Sequence, residues 1–308
     1  MSRSARIQFR DLHGIVLLDK PLGLSSNQAL QSVRRLLRAA KGGHTGALDP
    51  LATGLLPLCF GEATKLAGSL LGAHKAYVAE CRLGITTDTA DREGGIVQQR
   101  PVPALDATAI EAALAKLRGR ILQVPPMYSA LKQDGERLYA KARRGETVEV
   151  PPREVEIRRL ELLDRTDDTL TLHVECGSGT YVRSLAVDLG EDLGCGAHLT
   201  ALRRLWVEPF REPRMVTLEE LQRTAGQGDA VLSRWLLPVA TGLSDLPALQ
   251  LDDAQSMAIS RGQQIVLPGL PAAGRCAAFS SDGVLLAVLE PDEEGRARIL
   301  RGFNLPPG

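Results

Sequence analysis

The first regular pattern along the chain is a short apolar run, Gly14 to Leu18, closed by Asp19-Lys20-Pro21. It predicts a buried strand running into a turn. Ser25 and Ser26 then offer an N-cap, and Leu30, Val33, Leu36 and Leu37 recur at helical spacing up to Lys41 and Gly42. That spacing predicts an amphipathic helix whose exposed face carries Arg34, Arg35 and Arg38. From Lys75 to Leu83 the period falls to two, with Tyr77, Ala79, Cys81 and Leu83 on one face and Val78, Glu80 and Arg82 on the other, the signature of a strand. Asp106, Ile110, Leu114 and Leu117 give a second amphipathic helix over 106–118. Leu170, Leu172, Val174 and Cys176 alternate as a further strand, which ends in Gly177-Ser178-Gly179 and leads into a helix from about Thr180 to Leu189. Strands and helices are interleaved without a regular strand-helix-strand period, so a mixed sheet domain is expected rather than a doubly wound one.

Two segments break this rhythm. Between Val124 and Arg153 lies a Pro-flanked basic stretch with Pro125-Pro126-Met127-Tyr128, Lys132, Arg137, Lys141, Arg143 and Arg144, which suits an exposed insertion. Thr241-Gly242-Leu243-Ser244-Asp245 predicts a polar linker. Beyond it come a capped short helix and strand-like runs separated by turn residues at Ser281-Asp282-Gly283 and Pro291-Asp292-Glu293-Glu294-Gly295. The expected organisation is a large domain over 1–245 and a small β-rich module over 246–308.

With 308 residues and 44% hydrophobic content, the chain can bury a large core, which argues against disordered and fibrous classes. The formal net charge is zero, but its distribution is uneven: residues 1–80 carry ten Lys and Arg against five Asp and Glu, and residues 251–308 carry five Arg against seven acidic residues. The five cysteines are widely spaced and never form Cys-x-x-Cys, so neither a disulfide framework nor a zinc site is suggested, and they read as small buried groups. Met1 to Arg10 is basic and polar with no apolar stretch after it, and no apolar run approaches the length of a membrane helix. A cytoplasmic location away from membranes is expected.

Familiar chemistry is missing. There is no Gly-x-x-x-x-Gly-Lys-Ser/Thr, Gly177-x-Gly179 lacks its third glycine because position 182 is Val, and the five histidines show no metal-ligand spacing. No Gly-x-Ser-x-Gly elbow occurs either. What remains is Lys41-Gly42-Gly43-His44-Thr45-Gly46-Ala47-Leu48-Asp49-Pro50-Leu51-Ala52-Thr53-Gly54. Locally, Asp49 reads as an N-cap and Pro50 as the first residue of an apolar helix. The same residues also describe a carboxylate held on a glycine-rich loop beside a basic helix, and composition does not choose between these readings.

This run, with Gly14-Ile15-Val16-Leu17-Leu18-Asp19-Lys20-Pro21 before it and Lys75-Ala76-Tyr77 and Cys176-Gly177-Ser178-Gly179-Thr180-Tyr181-Val182-Arg183 after it, resembles the TruB family of tRNA pseudouridine-55 synthases. The similarity runs nearly the whole length, and the segment from Arg261-Gly262-Gln263 through Ser281-Asp282-Gly283-Val284-Leu285-Leu286 looks like a small PUA-type module. The resemblance implies an α+β fold, a mixed and largely antiparallel sheet, that isomerises a T-loop uridine of tRNA without cofactor or metal. It implies Asp49 as the catalytic aspartate, Tyr77 as the ring against the target base, and Arg183 as the guanidinium paired with Asp49. His44, Tyr181, Leu202 and Lys20 follow as substrate-binding residues.

Each role has a physical reason. The reaction breaks the bond from ribose C1′ to base N1 and rejoins C1′ to C5, so a fixed carboxylate suits the electron-poor sugar carbon. Attack on C1′, addition at C6 and removal of a ribose proton all need that group in nearly the same place, and the sequence leaves the three open. Arg34, Arg35, Arg38, Lys41 and the basic residues of the insertion would bind backbone phosphates. The acidic balance of the last module is unusual for an RNA-binding unit. The resemblance further implies a monomer that needs neither guide RNA nor protein partner; the competing reading is a non-catalytic tRNA-binding or tRNA-folding protein on the same scaffold.

Overall fold

Strand β1 (Gly14–Lys20) is buried on both faces, with Val16 and Leu18 turned to one side and Ile15 and Leu17 to the other. A continuous apolar run of this kind belongs inside a sheet covered on both faces. The computed structural model describes residues 9–67, 74–128 and 151–306, with positions 131–133, 136, 137, 144, 146, 148 and 150 between them. After β1 come α1 (Ser26–Leu37), β2 (Gly42–His44), β3 (Ala52–Phe60), β4 (His74–Leu83), β5 (Ile85–Thr87), β6 (Ile96–Gln99), α2 (Ala107–Lys116) and β7 (Gly119–Gln123). Two short strands, β8 (Lys132–Gln133) and β9 (Glu136–Arg137), precede β10 (Arg153–Arg165), β11 (Thr169–Gly177), α3 (Val182–Asp192), β12 (Ala197–Val207), β13 (Val216–Thr217), α4 (Leu218–Ala225) and α5 (Asp229–Ser233). The chain ends with β14 (Ala248–Gln250), α6 (Asp253–Ser260), β15 (Cys276–Phe279), β16 (Leu285–Pro291) and β17 (Ala297–Gly302).

Among the described residues the large sheet runs β13-β1-β3-β12-β4-β11-β10-β7, with β2 added on β3. Its pairs are antiparallel except β1 with β13 and β3 with β12. The expected α+β class, one mixed and largely antiparallel sheet, is what the chain adopts. Helix α1 covers one face and buries Leu30, Val33 and Leu37 against it, at roughly 1.5 to 3 kcal/mol for each side chain. Ser25 caps it with a full capping box to Gln28. All five cysteines are buried and free.

The structure changes two readings. The local reading of Asp49 as the cap of an apolar helix beginning at Pro50 gives way to a strand, β3 at 52–60: Pro50 and Leu51 make a turn, and the Ala52 N–H donates to the Asp49 carbonyl at 3.0 Å. An apolar run of this length is ambiguous between buried helix and buried strand, and here Gly54 and Pro57 weigh against the helix. Residues 241–245 are not an open linker. Val239–Leu243 is a 3-10 helix whose Val239, Gly242 and Leu243 are buried, packed in one core with Ile15, Leu17 and Leu55 of the large sheet and Leu285, Val288 and Phe303 of the small one. The four-stranded sheet β14-β15-β16-β17 therefore covers the reverse face of the large sheet. Lys65 donates to the Gly302 carbonyl at 2.7 Å and Glu62 accepts from the Asn304 N–H at 2.7 Å across this contact. Among the described residues no helix is long and apolar enough to cross a membrane.

Candidate active site

The loop from Thr45 to Leu51 carries Asp49 and is fixed from several directions. The Ser26 hydroxyl donates to the Leu48 carbonyl at 3.0 Å and accepts from the Leu48 N–H at 2.7 Å. The Pro50 carbonyl accepts from the Gly23 N–H at 2.9 Å and from Lys20 Nζ at 3.5 Å. Arg204 Nη2 donates to the Gly46 carbonyl at 3.0 Å. A loop pinned through its own backbone presents its side chain in a set direction, as a reacting carboxylate requires.

Asp49 meets Arg183 from the opposite side, with Arg183 Nε 3.0 Å from Asp49 Oδ2. Arg183 lies in the first turn of α3, where a cation opposes the helix dipole, and its side chain is only 5% exposed. Its partners explain it: Nη1 donates to the Thr89 carbonyl at 3.1 Å and lies 3.5 Å from Asp91 Oδ2, and Nη2 donates to the Tyr128 carbonyl at 2.8 Å. The fork thus ties three separate loops together. Asp91 is itself buried, accepting from the Thr89 hydroxyl at 2.6 Å and the Glu93 N–H at 3.0 Å. The start of α3 is held by Gln123, whose Oε1 accepts from the Tyr181 N–H at 2.7 Å, and by Ser184, whose hydroxyl donates to the Val124 carbonyl at 2.7 Å.

These groups open on a cavity of about 380 Å³ lined by His44, Asp49, Asp91, Tyr128 and Arg183. The accessible part of the Asp49 side chain faces this cavity and protein walls the rest. That desolvation raises its pKa above the ordinary carboxylate value, while Arg183 opposes the shift. His44 is held below its usual pKa by burial and by Arg204, and its Nδ1 is buried without a hydrogen-bond partner.

Tyr77 shares its face with Ala79 and Cys81 as the alternation predicts, and is buried. Across the sheet it faces Arg204 on β12 and Val174 on β11. Burial raises its phenol pKa, and the positive charge of Arg204 acts against that rise. Leu202 lies two pairs along, opposite Ala79, and is buried too; Tyr181 is the N-cap residue of α3 and half-buried. Tyr77, Leu202 and Tyr181 are not among the residues that line the cavity.

Lys20 departs from its expected role as a substrate contact. It is fully buried, and Nζ donates to the carbonyls of Pro21, Leu24 and Pro50, so it holds the turn beneath Asp49. Burial lowers its pKa to about 8, with Asp49 opposing the shift. Several arginines expected to wait for phosphates are already engaged: Arg34 donates to the carbonyls of Ala39 and Ala40 beyond its own helix, Arg38 pairs with Asp229, and Arg144 pairs with Glu136 and Glu146. Arg35 and Lys41 remain exposed. Lys141, Arg143 and the side chains of Lys132 and Arg137 lie outside the described residues.

Asp91 and Arg204 escaped the sequence reading. Arg204 is 1% exposed and donates through Nε to the Leu55 carbonyl at 2.6 Å. Its signal was present: it follows Leu202 by two, so a charge falls on the inward face of a strand. Asp91 sits in a polar turn with no periodicity to mark it.

A model of the TruB family pseudouridylate synthase N-terminal domain matches residues 34–182, and one of the tRNA pseudouridylate synthase B C-terminal domain matches residues 183–244. The chain is 58% identical to a tRNA pseudouridine synthase B of Xanthomonas campestris pv. campestris (strain B100), covering 97% of this chain and 96% of that protein. It is 57% identical to a tRNA pseudouridine synthase B of Xylella fastidiosa (strain Temecula1 / ATCC 700964), covering 98% and 99%. Among solved structures it resembles a chain of a Cbf5-Nop10-Gar1 complex, with TM-score 0.73, 24% identity and coverage of 97% and 85%. It also resembles a chain of an H/ACA RNP bound to a substrate RNA containing 2′-deoxyuridine, with TM-score 0.73, 22% identity and coverage of 95% and 85%. At these identities the two structures show the fold alone.

Proposed function

The chain belongs to the TruB family of pseudouridylate synthases, and from that membership we propose that it isomerises a uridine in the T-arm of tRNA to pseudouridine, with Asp49 as the reacting carboxylate. The activity is that of a tRNA pseudouridine synthase, an isomerase. The observation that carries the residue assignment is the 3.0 Å contact between Arg183 and Asp49 at a cavity large enough for a single extruded nucleotide. A uridine stacked in an RNA loop is inaccessible to that carboxylate, so it must be turned out at a cost of a few kcal/mol before the reaction.

In the cavity Arg183 keeps Asp49 ionised and oriented while the glycosidic bond breaks, and the base turns and rejoins through C5. Tyr77 supports the base from the sheet side, worth roughly 1 to 3 kcal/mol of stacking. His44 contacts the RNA beside it, and Tyr181 and Leu202 close the pocket after modest side-chain movement. Lys20 acts through the Pro50 carbonyl rather than on the substrate. Residues 246–308 form a PUA-type module, and the protein works as a monomer in the cytoplasm without guide RNA or partner. The experiment is to incubate the purified chain with an unmodified tRNA transcript labelled at C5 of uridine, with no guide added, and follow label release. Release supports the reading; tRNA binding without release favours a non-catalytic tRNA-binding protein.

A further inference from the structure

Lys75 stands two residues before Tyr77 on the same strand, so the period of two turns both side chains to the same face of the sheet, about 7 Å apart along β4. Its cross-strand partner is Cys176, the last alternating residue before the Gly177-Ser178-Gly179 turn that leads into Arg183. Lys75 is half-buried near the start of β4, and among the described residues it has no ion pair. The charged neighbour that acts on it most is Arg204, a like charge that is itself fully buried and hydrogen-bonded to backbone carbonyls. Burial and that arginine both lower the Lys75 pKa, with the Cys176 thiol opposing. Folding therefore holds an ammonium, partly stripped of water, beside another cation and, among the described residues, without a carboxylate partner. That arrangement costs free energy until an anion arrives.

We propose that Lys75 binds a backbone phosphate of the nucleotide extruded against Tyr77, and so fixes the sugar of the target uridine over Asp49. The inference rests on the tRNA-modifying reading above. With the base against Tyr77, the phosphate of the same nucleotide falls toward the rim of the face, where Lys75 stands. An ammonium on a flexible stem suits a phosphate, which offers oxygens in several directions and demands no bidentate fork. Nearby cations do not substitute: Arg183 is committed to Asp49, Asp91 and two carbonyls, and Lys20 and Arg204 are sealed beneath the loop.

The test compares wild type, Lys75→Gln and Lys75→Arg by label release from a tRNA transcript over a range of salt concentrations. Lys75→Gln is expected to raise KM roughly ten-fold at low salt, as for loss of one charge-assisted contact, with kcat little changed. The slope of log kcat/KM against log salt is expected to shallow by about one, and Lys75→Arg to restore most of both. In parallel, wild type is given a tRNA whose phosphate beside the target uridine is replaced by a neutral methylphosphonate. That substrate is expected to lose as much as Lys75→Gln loses, and the two changes together no more than either alone. An unchanged salt slope, additive losses, or a fall in kcat without change in KM overturns the proposal. The methylphosphonate series uses the unmutated protein and decides the question even if Lys75→Gln does not fold. Absence of release by wild type on the ordinary transcript would instead refute the parent reading.

Discussion

Arg183 serves Asp49 with one edge of its guanidinium while the other nitrogens hold Thr89, Asp91 and Tyr128. A lysine cannot make that fork, so Arg183→Lys is expected to lower kcat by about 100-fold, the equivalent of losing one or two charge-assisted hydrogen bonds. Single-turnover label release measures it. The pH dependence has two limbs. Asp49 must be ionised, and because its pKa is raised, activity falls on acidification from a pH above the ordinary carboxylate value. Lys20 titrates near 8; above that pH its neutral amine keeps two N–H donors for three carbonyls, and the longest contact, to Pro50, is released. A decline of kcat/KM above about pH 8 is expected, abolished in Lys20→Met together with much of the activity. For stability the sign is opposite: below about pH 8 Lys20 is charged in both states and its burial cost is fully present, and between 8 and 10.5 the unfolded chain binds more protons, so stability rises with pH. At this scale the pairing of Asp49 with Arg183 was legible because their motifs occur together. Asp91 was not, since a polar turn carries no period, and Arg204 was marked only by falling two residues after Leu202 on the inward face of a strand.

At the scale of elements, β3 shows where a local pattern runs out. Residues 52–60 are apolar almost throughout, and only their partners, β1 on one side and β12 and β2 on the other, make them a strand. By contrast β4 and β11 announced themselves by alternation, α1 by spacing and its cap, and α2 by spacing, because each has one covered and one open face. At Gly54 the backbones of β3 and β12 approach closely: its φ is +94° and an added Cβ would lie 2.1 Å from the Arg204 carbonyl oxygen. Gly54→Ala is expected to destabilise the protein by about 3 kcal/mol, combining backbone strain with the forced separation of strands. Denaturant unfolding reads it, and a loss below 1 kcal/mol would show that the strands can part freely. The cap of α1 is milder: Ser25→Ala is expected to lose about 1 kcal/mol.

For the whole molecule, the composition change near residue 245 correctly marked a second sheet but not its placement. The sequence suggested two bodies joined by a polar linker, whereas the small sheet roofs the reverse face of the large one through Phe303, Val288 and Leu285. That contact is the reason β1 is apolar on both faces, a clue that periodicity alone cannot assign to a partner. Phe303→Ala is expected to cost about 3 to 5 kcal/mol and to lower the single unfolding transition of the entire chain. Two separate calorimetric transitions in the wild type would contradict a shared core. The account of function rests on Asp49 reacting rather than docking, and the direct measurement is Asp49→Asn assayed side by side for label release and tRNA binding. The account predicts that release falls to background while tRNA affinity stays close to that of wild type. Measurable turnover by that variant, or loss of binding in step with loss of release, would contradict it.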